Sequence, residues 1–273
     1  MPVSFRGSVT ARARLTSRLS HANIAAVIVL WIILSLVVYV ALILIGRNSD
    51  RLKYGEGDVE LCVTLFEVYA RLFHRVRYEG LEHLEGLKAD DAVLVVCNHT
   101  AGVDPIVVQP RLPFRARWVM AQDMRAWVLE WFWNWSETIF VDRAGGNTLG
   151  VRSVIGHLKQ GHSVAMFPEG GIERPPKMLM PFMTGVGLIV SRSRVPVLPV
   201  WIEGTPQVDP AWASLWRTSK TVVRFGPVMD FEPKTKPDVI VDRLHARFRD
   251  WTGWPVNTDT RHIPEHGSAV AAS

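Results

Sequence analysis

The order of apolar and polar positions divides the chain into three regimes. Ala25 to Ile45 is an unbroken apolar run of 21 residues without a charge. As a helix it would extend about 31 Å, matching a bilayer core of about 30 Å. A signal peptide has a shorter apolar region, about 7 to 15 residues, ending at a small-residue cleavage site. Here Gly46-Arg47-Asn48-Ser49-Asp50 follows instead, so an uncleaved membrane anchor is predicted. Over residues 58–77, Val59, Leu61, Leu65, Phe66, Leu72 and Phe73 recur at helical spacing among Glu60, Glu67, Arg71, His74 and Arg75. Such a helix either packs on a core or lies at a membrane interface.

From about residue 80 onward, short β-rich runs alternate with helical stretches. Strands are predicted at Ala92–Cys97, Thr138–Val141, Ser163–Phe167, Val197–Trp201 and Thr221–Phe225. Helices are predicted near 121–134, 148–160, 185–193 and 236–252. The alternation implies an α/β domain with a mixed, largely parallel central sheet flanked by helices, preceded by an N-terminal membrane helix. The predicted segments are a basic stretch (1–21), the anchor (22–46), an amphipathic interfacial helix and linker (47–79), the α/β domain (80–258) and a polar tail (259–273). Polar loops follow several of the strands at the edge where open α/β sheets place their sites.

Composition refines this picture at two points. The net charge is +5, but it is concentrated at the amino end. Residues 1–53 carry Arg6, Arg12, Arg14, Arg18, Arg47, Arg51 and Lys53 against Asp50, leaving the remainder at −1. Charge confined to the flanks of an apolar run suits anionic lipid headgroups and argues against a nucleic-acid partner. The near-balance of the two flanks leaves either direction of crossing open, or a helix that dips into one leaflet. The two cysteines, Cys62 and Cys97, have no metal-ligand spacing and form no disulfide framework, so a reduced compartment is expected.

Candidate chemistry begins where AVLVVC runs into Asn98-His99-Thr100-Ala101-Gly102-Val103-Asp104-Pro105. A histidine at a strand exit with an aspartate five positions on can form an oriented general base. The carboxylate holds one ring nitrogen and leaves the other basic. The same residues also suit a packed loop histidine beside a helix-capping aspartate. Cys97 and His99 could form a nucleophilic pair, although a cysteine ending an apolar strand is usually inert. Asn98-His99-Thr100 also matches a glycosylation sequon.

Asn98-His99-x4-Asp104 resembles the first motif of the glycerol-phosphate and lysophospholipid acyltransferase family. Thr138-Ile139-Phe140-Val141-Asp142-Arg143 resembles its second block, Phe167-Pro168-Glu169-Gly170 its third, and Val195-Pro196-Val197-Leu198-Pro199-Val200 its fourth, with Ile202 and Gly204 continuing it. The resemblance covers roughly residues 75–230 and implies that 80–258 is a catalytic domain. It further implies that His99 deprotonates an acceptor hydroxyl, which attacks the thioester of an acyl-CoA or acyl-carrier-protein donor, with Asp104 orienting the imidazole. Asn98, Arg143, Glu169, Gly170, Gly171 and Pro199 are then implied as binding or pocket-shaping positions, with Arg143 on an anionic headgroup.

The chain departs from the family after Glu169-Gly170. Gly171 and Ile172 stand where Thr and Arg are usual, and Met183 stands where a lysine is frequent. Arg174 or Lys177 could substitute, or the acceptor carries a larger or differently placed head. Trp127, Trp131 and Trp135 are spaced to share a helix face, as core packing, as an acyl-chain tunnel or as a contact with the bilayer interface. No phosphate-cradling loop, dinucleotide turn or Gly-x-Ser-x-Gly elbow occurs, so no cofactor is expected beyond the donor's own carrier. The expected partners are membrane lipids, a lysolipid acceptor and the acyl donor. The expected role is phospholipid biosynthesis or remodelling at a membrane, the inner membrane in a bacterium, with the catalytic domain facing the cytoplasm. The alternatives are a lipid hydrolase or transacylase using the same pair, and a non-catalytic lipid-binding scaffold.

Overall fold

A computed structural model describes residues 27–38, 40, 53–142, 148–173 and 175–257. The chain forms two compact units, Met1–Leu61 and Cys62–Ser273. In the first unit residues 27–38 and 40 are helical (α1), with their apolar side chains exposed. No helix among the described residues is long and apolar enough to cross a membrane. Twelve residues rise only about 18 Å, and the rest of the predicted anchor lies outside the described residues.

Helix α2 spans Gly57–Phe73, ending four residues before the predicted limit. His74 and Val76 both donate to the Ala70 carbonyl, and Arg75 takes a left-handed φ of 44°. That is a left-handed terminal turn closing the helix. Its Leu65, Val68 and Leu72 remain exposed along one side.

Seven strands follow: β1 (Arg77–Glu79), β2 (Leu94–Cys97), β3 (Arg117–Ala121), β4 (Ile139–Val141), β5 (Val164–Met166), β6 (Val197–Glu203) and β7 (Val222–Phe225). They form one sheet in the order β1-β7-β6-β2-β5-β3-β4. All pairs are parallel except β6 with β7. Central β2 lies between β6 and β5, with Val96 opposite both Pro199 and Met166.

Both faces of the central strands are covered, so their sequences are apolar at successive positions instead of alternating. One face presents Val95, Cys97, Val200 and Phe225 to a layer holding Val107, Leu112 and Phe114. The other presents Leu94, Val96 and Val197 to helices α5 (Thr148–Lys159), α6 (Thr184–Ser193) and α7 (Pro237–Thr252). Helices α6 and α7 approach so closely that a Cβ on Gly187 would lie 2.1 Å from the Pro237 carbonyl oxygen.

Strands β1 and β3 were not predicted. In β3 every residue before Ala121 is only partly buried, so it shows neither alternation nor a fully buried run. The helix predicted at 121–134 is replaced by the end of β3, two 3-10 turns (Gln122–Met124 and Trp127–Leu129) and a six-residue helix α4 (Glu130–Trp135). Aromatic residues lose rotamer freedom in a helix, so a tryptophan-rich stretch is a weak helix former. Trp127 and Trp131 are exposed, and Trp135 packs under the Arg115 guanidinium. The three therefore do not form a core stripe.

Candidate active site

The carboxyl end of β2 delivers a tight loop that returns into the five-residue helix α3 (Asp104–Val108). The turn is permitted by Gly102, where a Cβ would lie 2.6 Å from the Ala211 carbonyl oxygen. Asp104 is fully buried and His99 keeps 18% of its side chain exposed. The His99 Nδ1 lies 2.9 Å from Asp104 Oδ2. An ionised carboxylate can only accept, so Nδ1 carries the proton and Nε2 presents its lone pair. Among the described residues Nε2 has no hydrogen-bond partner.

Asp104 Oδ2 also accepts from the backbone N–H groups of Thr100 (2.7 Å) and Ala101 (2.9 Å). Its Oδ1 accepts from the hydroxyls of Thr100 and Thr205, each at 3.1 Å. The two hydroxyls also touch one another. The carboxylate is thereby held from five directions, which fixes the position of the ring it orients.

The third block supplies the floor. Phe167 leaves β5 and stacks on the His99 ring, with centroids 3.9 Å apart and planes 13° from parallel. Trp118 of β3 packs on Phe167 in turn, with ring centroids 5.5 Å apart. The ring is thus clamped between a carboxylate at its edge and an aromatic face.

Two buried carboxyl groups flank this arrangement. Among the described residues neither oxygen of Glu169 has a hydrogen-bond partner. Burial pushes its carboxyl well above the usual range, with the Glu173 charge adding to the shift. The His99 backbone N–H opposes it without closing a bond of ordinary geometry. Glu173 donates its backbone N–H to the His99 carbonyl (2.8 Å) and accepts from Gln207 Nε2 (2.6 Å). Gly170 has φ 71°, and a Cβ there would press on Met183 Sδ at 2.7 Å.

The remaining predicted positions are distributed unevenly. Asn98 is buried, and its amide donates to the Ile202 carbonyl (2.9 Å) and accepts from the Ile202 N–H (2.7 Å), tying β2 to β6. Pro199 is buried mid-strand, with its carbonyl accepting from Gly226. Gly171 has open space at its Cβ position. Lys177 is largely exposed, with its ammonium 3.4 Å from Glu203. Arg143 and Arg174 lie outside the described residues. Cys97 is wholly buried, and burial followed by the Asp104 charge pushes its thiol up. It therefore offers no thiolate to His99. Among the described residues no three His, Cys, Asp or Glu side chains gather as a metal site.

Thr100, Thr205 and Gln207 were not picked out from the sequence. Thr205 follows Gly204 of the fourth block, where φ is 83° and the chain turns against Lys220. Its nearness to Asp104 exists only once β6 lies beside β2.

The family model named Acyltransferase matches residues 75–203 of the chain. Among solved structures, the chain is similar to PlsC, the 1-acyl-sn-glycerophosphate (LPA) acyltransferase of Thermotoga maritima. The TM-score is 0.56 and the identity 20%, over 76% of this chain and 86% of that one. The likeness is one of fold.

Proposed function

We propose that the chain, whose residues 75–203 match the family model named Acyltransferase, moves a fatty acyl group from a thioester donor to a hydroxyl of a lysophospholipid-like acceptor. The observation that carries this reading is the His99–Asp104 contact of 2.9 Å, with the aspartate buried and the histidine partly open. His99 Nε2 takes the acceptor's hydroxyl proton as the oxygen attacks the thioester carbonyl. The resulting oxyanion collapses, the C–S bond breaks, and the imidazolium returns the proton to the departing thiolate. The Asp104 charge stabilises the imidazolium between these steps.

Donors of this chemistry are acyl-CoA or an acyl carrier protein. Arg143, and Arg174 with Lys177, are the cations proposed to meet an anionic acceptor head, because a guanidinium fork matches phosphate oxygens. The run Ala25–Ile45 is proposed to attach the chain to a membrane, with the catalytic unit on the cytoplasmic side where thioester donors are found. Similarity to PlsC, whose name specifies an acylated glycerophosphate, supports this acceptor class.

The test is acceptor-dependent release of free thiol from acyl-CoAs by the detergent-purified chain, with mass analysis of the product. A diacyl product bearing the acceptor's headgroup is expected. Thiol release without acceptor would replace acyl transfer by hydrolysis.

A further inference from the structure

Four of the chain's 11 tryptophans are exposed on two segments, 127–131 and 211–216, which follow strands on either side of the His99 loop. Strands β6, β2, β5 and β3 are adjacent in that order and mutually parallel, so their carboxyl ends share one edge of the sheet. The His99 loop leaves β2 at that edge. Beyond β3, Trp127 is 84% and Trp131 69% exposed, with Val128 exposed between them. Beyond β6, the turn Ala211–Trp216 leaves Trp212 59% and Trp216 75% exposed. Both segments are coupled to the site. The Ala211 carbonyl oxygen abuts Gly102, and Trp118, four residues before the Gln122–Met124 turn, packs on the Phe167 that floors His99.

A tryptophan buries about 150–250 Å² when it joins a core, so two protruding pairs at one edge require an occupant. Beside the first pair, Arg125 Nε donates to Glu130 Oε2 at 3.0 Å, so these two charges are matched to one another. What remains is a set of large exposed rings, each apolar with one polar N–H, on two separate segments of the chain. That chemistry suits the interfacial layer of a bilayer, where an indole can bury its ring and keep its N–H wet. The site between these segments is the one that takes a lipid-borne acceptor.

We infer that Trp127, Trp131, Trp212 and Trp216 dock the catalytic edge onto the lipid interface, seating the His99 loop where a membrane-resident acceptor presents its hydroxyl. The inference rests on the acyl-transfer reading for its substrate but not for its contact.

The test uses the full chain in vesicles of phosphatidylethanolamine and phosphatidylglycerol with brominated acyl chains. Tryptophan quenching is compared between wild type and the Trp127→Ser, Trp131→Ser, Trp212→Ser, Trp216→Ser quadruple variant. Thiol release is followed with a vesicle-embedded acceptor and with a short-chain, water-soluble one. Quenching should be reduced in the variant, and kcat/KM on the embedded acceptor should fall at least about tenfold, with the soluble acceptor within about twofold. Unchanged quenching, or equal losses on both acceptors, overturns the docking. A wild type inactive on both acceptors refutes the acyl-transfer reading, while the quenching still decides the contact. Because the four positions are exposed, an unchanged melting temperature confirms that the variant folds.

Discussion

At the Asp104 carboxylate five donors converge, and two of them, the Thr100 and Thr205 hydroxyls, would be left facing each other if it were removed. Asp104→Asn preserves the shape, with its oxygen still accepting from the three N–H groups and its amide facing the two hydroxyls. It removes the negative charge that stabilises the imidazolium, and kcat should fall about a hundredfold. Asp104→Ala should in addition destabilise the fold by about 3 kcal/mol, since buried polar groups lose their partner. Activity assays and denaturant melts of both variants separate the two effects.

Glu169 gives a pH prediction. Its folded pKa is raised by burial from the usual 4.5, so the native state holds a proton that the unfolded chain releases. Its contribution is complete below about 4.5 and is lost as pH rises through the folded value. Relative to wild type, Glu169→Gln should gain stability in urea melts as pH rises above about 4.5. An unchanged difference across that range would contradict the assignment. The His99–Asp104 contact was legible in the sequence because the two residues stand five apart in one loop. Thr205 was not, because it reaches Asp104 from 101 residues away.

Among the elements, the end of α2 is held by a chain of hydrogen bonds. Tyr69 donates its hydroxyl proton to the Leu215 carbonyl (2.6 Å), so it accepts from His74 Nε2–H (3.0 Å). His74 Nδ1 then accepts from the Ser219 hydroxyl at 2.8 Å. The ring works as a neutral bridge, and burial lowers its pKa from 6.5, with the Asp104 charge partly opposing. Stability from this bridge is complete above about pH 6.5 and is lost as pH falls from there through the lowered folded value. His74→Phe should therefore cost about 1–3 kcal/mol at pH 7.5 and flatten the stability loss below about pH 6.5. A variant that keeps the wild-type slope would place that loss elsewhere. Strands β2, β5, β6 and β7 could be read from their apolar runs. Strand β3 could not, since its partly buried residues carry Arg117 and Trp118. The stretch after it has a helical tryptophan spacing that the chain does not use as a core stripe, because Trp127 and Trp131 are exposed while Trp135 packs under Arg115.

For the catalytic unit, the strand order explains why blocks far apart in sequence act together. The first, third and fourth blocks end on the adjacent strands β2, β5 and β6, so Phe167 reaches the His99 ring and Ile202 binds the Asn98 side chain. Their adjacency depends on pairing between distant segments, which periodicity does not encode. The second block ends on β4 at the sheet's edge, two strands beyond β5. The α/β class and its mixed, mostly parallel sheet followed from strand–helix alternation alone. The order of the strands, and the exposed tryptophan segments following strands on either side of the central loop, required the structure.

The central claim is that His99 is the base in acyl transfer. It is tested most directly by acceptor-dependent thiol release from acyl-CoA by the full chain and by His99→Ala, at matched folding. Loss of general-base catalysis should lower the acceptor-dependent rate by at least about a thousandfold, with unchanged melting. A His99→Ala protein that keeps its rate within about tenfold of wild type would contradict the account and place the chemistry on another group.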